Sequence, residues 1–318
     1  MKAWMRVLEV TLTSQYSTSG KRKQLKFGAN WREGKEDLNI EVRCNKYMSS
    51  LKDEAVVQIS NLTYSEIRKI IDGKFYDVQI ACGYRNGNIQ TIFDGGVLYI
   101  SNSLTDTKTN TVVLLCASKM VARYGQSRIN LSLNSGINMY TAIKHVCAKA
   151  GIRDECLSAQ LKKQMLTQAQ SVNKTVSSWI DDLANQNDTF IINTDKGVST
   201  ASVSIFDAKR SNARVIPLKS NNVLLTGGYP RLTNEGLTLT ILPSFAFMCG
   251  DTIKIDNSII DISVSSRSEV TKNYGYFLDE DGHYMIFEMQ YNLQNRGSNF
   301  SLSLNCKTRS LISNYFGK

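Results

Sequence analysis

Alternation of apolar and polar residues is the dominant pattern in this chain. From Tyr76 onward, Tyr76, Val78, Ile80 and Cys82 fall on one face, and Asp77, Gln79 and Ala81 on the other. A period of two predicts a half-buried β-strand. Gly83 to Asn88 (GYRNGN) predicts a turn, because Asn-Gly accepts positive φ. The return strand carries Asp94-Gly95-Gly96, and paired glycines inside a strand predict a bulge or a close backbone approach. Asn110 to Ser118 (NTVVLLCAS) is apolar almost throughout, which places it at the centre of a sheet. Glu54 to Leu62 (EAVVQISNL) supplies a further strand ahead of these.

The period then changes. Gly136 to Ile152 (GINMYTAIKHVCAKAGI) repeats Ile143, Val146, Cys147 and Ala150 at helical spacing and predicts a helix stopping at Gly151. Ser171 to Asp188 predicts a second helix, with Val172, Val176, Trp179, Ile180 and Leu183 on one stripe. Thr189 to Ala208 predicts a hairpin turning at Asp195-Lys196-Gly197. Strands return after about residue 210. Gly250 to Ser266 alternates twice, through Ile253 and Ile255 and then Ile260, Ile262 and Val264. His283 to Leu293 places Met285, Phe287, Met289, Tyr291 and Leu293 on one face. Asn299 to Thr308 does the same with Phe300, Leu302, Leu304 and Cys306.

The two β-rich ends share a layout. IIDGKFYDVQI near the start and FMCGDTIKIDN near the end each run from an apolar turn through a glycine into an alternating strand, then into two more strands. This predicts an internal duplication. The expected fold is mainly β with an α/β insert: two related antiparallel β-barrel domains, 1–122 and 211–318, flanking a small α/β domain, 125–210.

Composition narrows the class. The chain has 318 residues, 42% hydrophobic and 21% charged, an ordinary globular balance. No apolar run reaches the roughly 18 residues of a membrane span, and the start MKAWMRVLEVTLTS reads as a first strand, without the pattern of a signal peptide. The net charge is +10, which suits solubility, nucleic acid or an acidic partner. The basic residues are scattered except in Gly20 to Gly28 (GKRKQLKFG), read as an exposed hairpin loop. The seven cysteines, Cys44, Cys82, Cys116, Cys147, Cys156, Cys249 and Cys306, show no CxxC spacing and sit mostly at apolar positions. Buried reduced thiols are expected, in an intracellular setting and without a zinc site.

Catalytic chemistry is hard to place. The two histidines, His145 and His283, lie in different segments without a nucleophile motif beside either. Asp181-Asp182 reads as the solvated face of a helix, and Asp279 to Gly282 (DEDG) as a hairpin turn without the further ligands of a calcium loop. TGGYP and DGG lack the lysine spacing of a phosphate-binding loop. The residues therefore assign no catalytic, cofactor or metal site. They point to a β-rich binding or assembly protein.

Two stretches go further. Ile59, Asn61 and Leu62, then Ala81 to Tyr84, then Ile92, Phe93 and Gly95 resemble the N-terminal domain of contractile-phage baseplate hub proteins. Gly282, Tyr284, Ile286, Asn295, Arg296, Gly297 and Phe300 resemble the closing strands of a later barrel in the same family. A tryptophan is common at the last of these positions, and Phe300 keeps an aromatic there. The insert, with TVSSWIDDLANQNDTFII, is similar to the family's second domain.

The resemblance implies a homotrimer in which two β-barrels per chain make a pseudo-six-fold ring. That ring would join the hexameric tail tube to the trimeric spike, with other baseplate proteins around it. DNA would pass through the lumen without specific binding, and no enzymatic activity or cofactor is implied. The protein would be a virion component of the tail baseplate, made in the host cytoplasm. Two other classes fit the residues alone: an OB-like nucleic-acid or carbohydrate binder, and a tail-associated hydrolase.

Overall fold

The computed structural model describes residues 5–14, 22–29, 38–48, 53–85, 87–106, 109–124, 128–157, 159–176, 178–179, 182, 189–192, 202–207, 214–218, 229–233, 236–243, 247–261 and 281–308. The chain is mainly β with a small insert that carries a helix. The first segment contributes β1 (Arg6–Ser14), β2 (Gln24–Phe27), β3 (Asn39–Tyr47), β4 (Glu54–Ser60), β5 (Phe75–Tyr84), β6 (Gln90–Asp106) and β7 (Thr109–Ser118). Helix α1 (Tyr64–Asp72) links β4 to β5, and α2 (Lys119–Tyr124) follows β7. The last segment contributes β13 (Val215–Pro217), β14 (Arg231–Thr233), β15 (Gly236–Ile241), β16 (Thr252–Lys254), β17 (His283–Gln294) and β18 (Phe300–Lys307). These form one 13-stranded sheet in the order β14-β15-β18-β17-β3-β4-β7-β6-β5-β1-β2, with β16 joining β13 to β17. All its pairs are antiparallel except β13 with β16.

Both stretches of the expected duplication open a three-stranded meander: β5-β6-β7 at one end and β16-β17-β18 at the other. The two segments share one apolar core, running from Leu8 through Cys116 and from Leu232 through Cys306. Helix α1 adds Ile67 and Ile70 to it. That helix starts on a capping box: the Thr63 hydroxyl accepts from Glu66 N, and the Glu66 carboxylate accepts from Thr63 N at 2.8 Å.

The insert has its own core of Ile129, Leu133, Ala142, Ile143, Val146, Cys147, Val172, Val176, Trp179 and their neighbours. Its elements are β8 (Arg128–Leu133), α3 (Met139–Ala150), β9 (Arg153–Leu157), β10 (Gln170–Thr175), β11 (Thr189–Ile192) and β12 (Ser202–Asp207). Helix α3 ends as the sequence predicts, with Gly151 left-handed at φ 69°. β11 and β12 form the expected antiparallel pair, and β12 also runs parallel to β9. Their turn at 195–197 lies outside the described residues.

Four expectations change. Residues 170–175 are a strand, β10, paired with β8 from Gln170↔Leu133 to Thr175↔Arg128. The predicted helix begins only at Val176, and Ile180 and Leu183 lie outside what is described. Val172 is buried either way, so its burial could not tell strand from helix. The basic stretch around Lys23 is strand β2 rather than a loop, with Phe27 buried and Gln24 and Lys26 exposed.

The other two changes are shifts of phase. Register slips between Thr13 and Ser14 opposite Asp77 and Phe75, so a bulge turns Tyr76 outward and Phe75 inward. A second bulge between Ile286 and Glu288 leaves Phe287 half-buried, while Tyr284 and Ile286 are fully buried. At this bulge β17 changes partner, from β16 (Met285↔Thr252) to β3 (Glu288↔Tyr47).

Gly95 and Gly96 serve close approach. A Cβ on Gly95 would fall 2.4 Å from Ala117 O, and one on Gly96 would fall 2.3 Å from the Ala122 Cβ of α2. The same contact holds a buried ion pair, Lys119 Nζ to Asp94 Oδ1 at 2.7 Å, with Lys119 only 2% exposed. Removing one partner of such a pair strands a buried charge.

Candidate assembly surface

Four of the residues that carried the family resemblance, Tyr84, Asn295, Gly297 and Phe300, meet at the joint between the two segments. β3 and β17 pair over seven residues, from Glu288↔Tyr47 to Gln294↔Glu41. Beyond their end, the Asn295 side chain closes the joint. Its Oδ1 accepts from Ile40 N at 2.9 Å, and its Nδ2 donates to Leu38 O at 2.6 Å. The turn that follows holds Arg6: one guanidinium nitrogen donates to Gly297 O at 2.7 Å and Ser298 O at 3.2 Å. That guanidinium lies over the Phe300 ring, 5.2 Å from its centroid. Tyr84 packs edge-on against Phe300 at 5.5 Å and 66°. Phe300 is buried, so an aromatic at this position anchors the first strand and the last to each other.

The sheet face opposite the core carries a second feature. Strand β7 is central, between β4 and β6, as its apolar run predicts. Its inward residues Val112, Leu114 and Cys116 are buried, yet Leu115 on the other face is 41% exposed. The register sets Leu115 opposite Val56 on β4 and Tyr99 on β6, which are 39% and 60% exposed. Leu98, beside Tyr99 where β6 slips register, is 55% exposed. The row becomes polar on the far side, where Val56 faces Arg43 and Arg43 faces Asn292. A strand apolar on both faces is stable in water only when both are covered. The sequence signal for this row was NTVVLLCAS itself; its apolar run places the strand centrally without saying whether its second face is covered.

Titratable groups follow burial. Burial pushes the thiols of Cys82 and Cys116 up to about 12, and those of Cys44, Cys249 and Cys306 well above the usual range. Cys44, Cys82, Cys116, Cys147, Cys249 and Cys306 are all buried, as expected, and none is in a disulfide; the side chain of Cys156 lies outside the described residues. Asp53 immediately precedes β4 beside the joint. Its carboxylate accepts from Tyr47 N at 2.9 Å, and its carbonyl accepts from Ser118 N. Burial pushes this carboxyl up to about 7, against the opposing pull of Lys46 and the Tyr47 N–H.

The structure does not bring the two histidines together. His145 is exposed on α3, in the insert, and His283 opens β17, in the large sheet. Asp182 is half-buried and paired with Lys174 Nζ at 2.9 Å; Asp181 lies outside the described residues. Of DEDG, only Asp281 and Gly282 are described, and Gly282 O accepts from Ile255 N, just past the end of β16. Among the described residues no group of three or more His, Cys, Asp or Glu is placed to hold a metal ion. Among them, too, no helix is long and apolar enough to cross a membrane.

Comparison with solved structures matches this architecture along nearly the whole chain. The 43 kDa tail protein of prophage MuSo2 from Shewanella oneidensis superposes with a TM-score of 0.57 at 10% identity, covering 96% of this chain and 98% of that one. The chain has a phage tail-protein fold. A tail protein from Neisseria meningitidis MC58 agrees, with a TM-score of 0.53 at 10% identity and coverage of 98% and 99%. So does the E. coli c3393 protein, described as a type VI secretion component structurally similar to the T4 tail proteins gp27 and gp5. Its TM-score is 0.56 at 10% identity, with coverage of 86% and 74%. No protein family's sequence model matches the chain, and no curated protein matches it. The likeness is thus one of fold, with little residue identity.

Proposed function

We propose that this chain is a structural component of a phage tail, the baseplate hub that adapts a six-fold tube to a three-fold spike. One observation carries the reading. The central strand of a tail-protein fold presents an apolar row, Tyr99–Leu115–Val56, that the described residues leave exposed. A neighbouring copy of the chain covers that row in a ring.

In this reading the division of the chain follows its hydrophobic period, with β units at 1–122 and 211–318 around an α/β unit at 125–210. Two β units in each of three copies make six similar units, which matches a hexameric tube above and a trimeric spike below. Closing such a ring demands self-consistent contacts between unlike faces. The role requires no catalytic group or cofactor. DNA crosses the lumen without specific contacts, so the net charge of +10 serves solubility and partners rather than a grip on DNA. The protein is made in the host cytoplasm and ends in the virion baseplate, in contact with tube, spike and other baseplate proteins.

Electron cryomicroscopy of the assembled particle tests this directly. Three copies around the tail axis, directly beneath a six-fold tube ring and with Leu115 inside a subunit contact, are expected. Six copies, a position off the axis, or Leu115 facing solvent would refute it.

A further inference from the structure

One end of the large sheet lies elsewhere, at β2. Among the described residues β2 has a neighbour on one side only, β1. The register fixes which backbone groups face outward. Ser14 N donates to Lys23 O, and the pairing continues through Leu12↔Leu25 and Val10↔Phe27. Antiparallel pairs alternate, so Lys23, Leu25 and Phe27 bond to β1 while the N–H and C=O of Gln24 and Lys26 point away from it. Beside this edge runs a groove of about 520 Å³ between β2 and the C-terminal turn of α1. Its apolar lining is Leu25 and Phe75, and its charged lining is Lys23, Arg68 and Lys69 against the single carboxylate of Asp72. Arg68, Lys69 and Lys26 are all exposed.

From this arrangement we propose that the groove receives an extended acidic segment of a partner protein, added as a strand to the edge of β2. The outward backbone groups of Gln24 and Lys26 supply the ladder bonds. Leu25 and Phe75 take an apolar side chain of the incoming strand, and the three cations take its carboxylates. Lys26 gives the edge its selectivity. An exposed lysine on a sheet edge repels a second basic copy of itself and admits an acidic strand. The occupant is therefore not another β2, and this surface is separate from the outward row on β7.

An eight-residue peptide alternating valine and glutamate, and its valine–lysine counterpart, provide the test. The glutamate peptide is expected to bind saturably by fluorescence anisotropy, to weaken with added salt, and to slow amide exchange at Gln24 and Lys26. The lysine peptide is expected not to bind. Arg68→Glu with Lys69→Glu, on the exposed face of α1, should weaken the glutamate peptide at least tenfold while the thermal midpoint stays put. Lys26→Pro removes an N–H that does not serve β1 and should abolish binding; edge strands tolerate proline. Equal binding of both peptides, no binding at millimolar concentration, or binding without protection at Gln24 and Lys26 would overturn the proposal. Unchanged affinity in the double variant would overturn it even if the proline variant failed to fold.

Discussion

Asn295 offers the sharpest test of how the two β segments are held together. It bridges residues more than 250 positions apart, bonding Ile40 N and Leu38 O. Asn295→Ala leaves two backbone groups without partners. Ile40 is fully buried, so its N–H cannot turn to water, and an orphaned buried donor costs about 1–3 kcal/mol. Leu38 is half-buried, so its carbonyl regains part of its hydration and loses about 0.5–1.5 kcal/mol. The expected loss is about 2–4 kcal/mol in all, a large share of the 5–15 kcal/mol that typically separates folded from unfolded chains. At about 2–4 °C per kcal/mol for a unit of this size, the thermal midpoint should fall by roughly 4–16 °C. Differential scanning calorimetry is the assay, because it also reports which unit moves. The insert has a separate core and should keep its own transition, while the transition of the large sheet shifts as a whole. Asn295→Asp should be no milder than alanine, since its carboxylate would face Leu38 O. Gln290→Ala, exposed on the same strand, should be neutral. A loss below about 0.5 kcal/mol would refute the reasoning, since even one lost hydrogen bond exceeds that figure. So would an equal shift of both transitions.

Two further outcomes follow from burial. A thiol reagent should modify at most one of the seven cysteines in the native protein, Cys156, and all seven after unfolding, because the other six are buried and burial makes the thiols of Cys44, Cys82, Cys116, Cys249 and Cys306 resist ionisation. Asp53 holds its proton up to about pH 7 in the folded chain, so the stability tied to it is complete below about pH 4 and is lost as pH rises through 7. The loss is at most about 4 kcal/mol, and Asp53→Asn should flatten it in urea titrations at pH 5 and pH 8.

Strand existence was legible in the residues wherever alternation ran unbroken. Phe300, Leu302, Leu304 and Cys306 face the core as read, and so do Val78, Ile80 and Cys82. The errors sit where one extra residue enters a strand. A bulge shifts every later position to the other face, and no local pattern announces it when the residues on both sides are apolar. Phe75-Tyr76 and Ile286-Phe287 are both such pairs, so either member could have been the inward one. Residues 170–175 failed for a related reason. Val172 and Val176 are spaced by four, which suits a helix, yet an even spacing also suits one face of a strand. The pairing of β10 with β8 settles the matter, and that pairing spans about 40 residues of sequence.

The joint was invisible to alternation for a stronger reason. β3 and β17 are ordinary alternating strands, and nothing in Asn39–Tyr47 names a partner some 250 residues away. The polar and glycine residues around them did carry a signal, though its meaning differs from its first reading. Asn295, Gly297, Phe300 and Tyr84 stood out as family-like positions, and in the fold they form the clamp that binds first strand to last. Their chemistry is that of a turn whose carbonyls, amide and ring are all spent within the chain. The outward row on β7 is the reverse case. Leu115, Val56 and Tyr99 are only partly covered by the described residues, and each keeps roughly two-fifths or more of its surface in water. Burying those fractions, with Leu98, would contribute about 4 kcal/mol at the usual 1.5–3 kcal/mol for a full side chain. That is about a thousandfold in association. Such a contribution is small beside a folded core but ample to bias how copies meet when other contacts hold them together. Positions used up inside the fold hold this architecture together, and positions left over are where its assembly is to be sought.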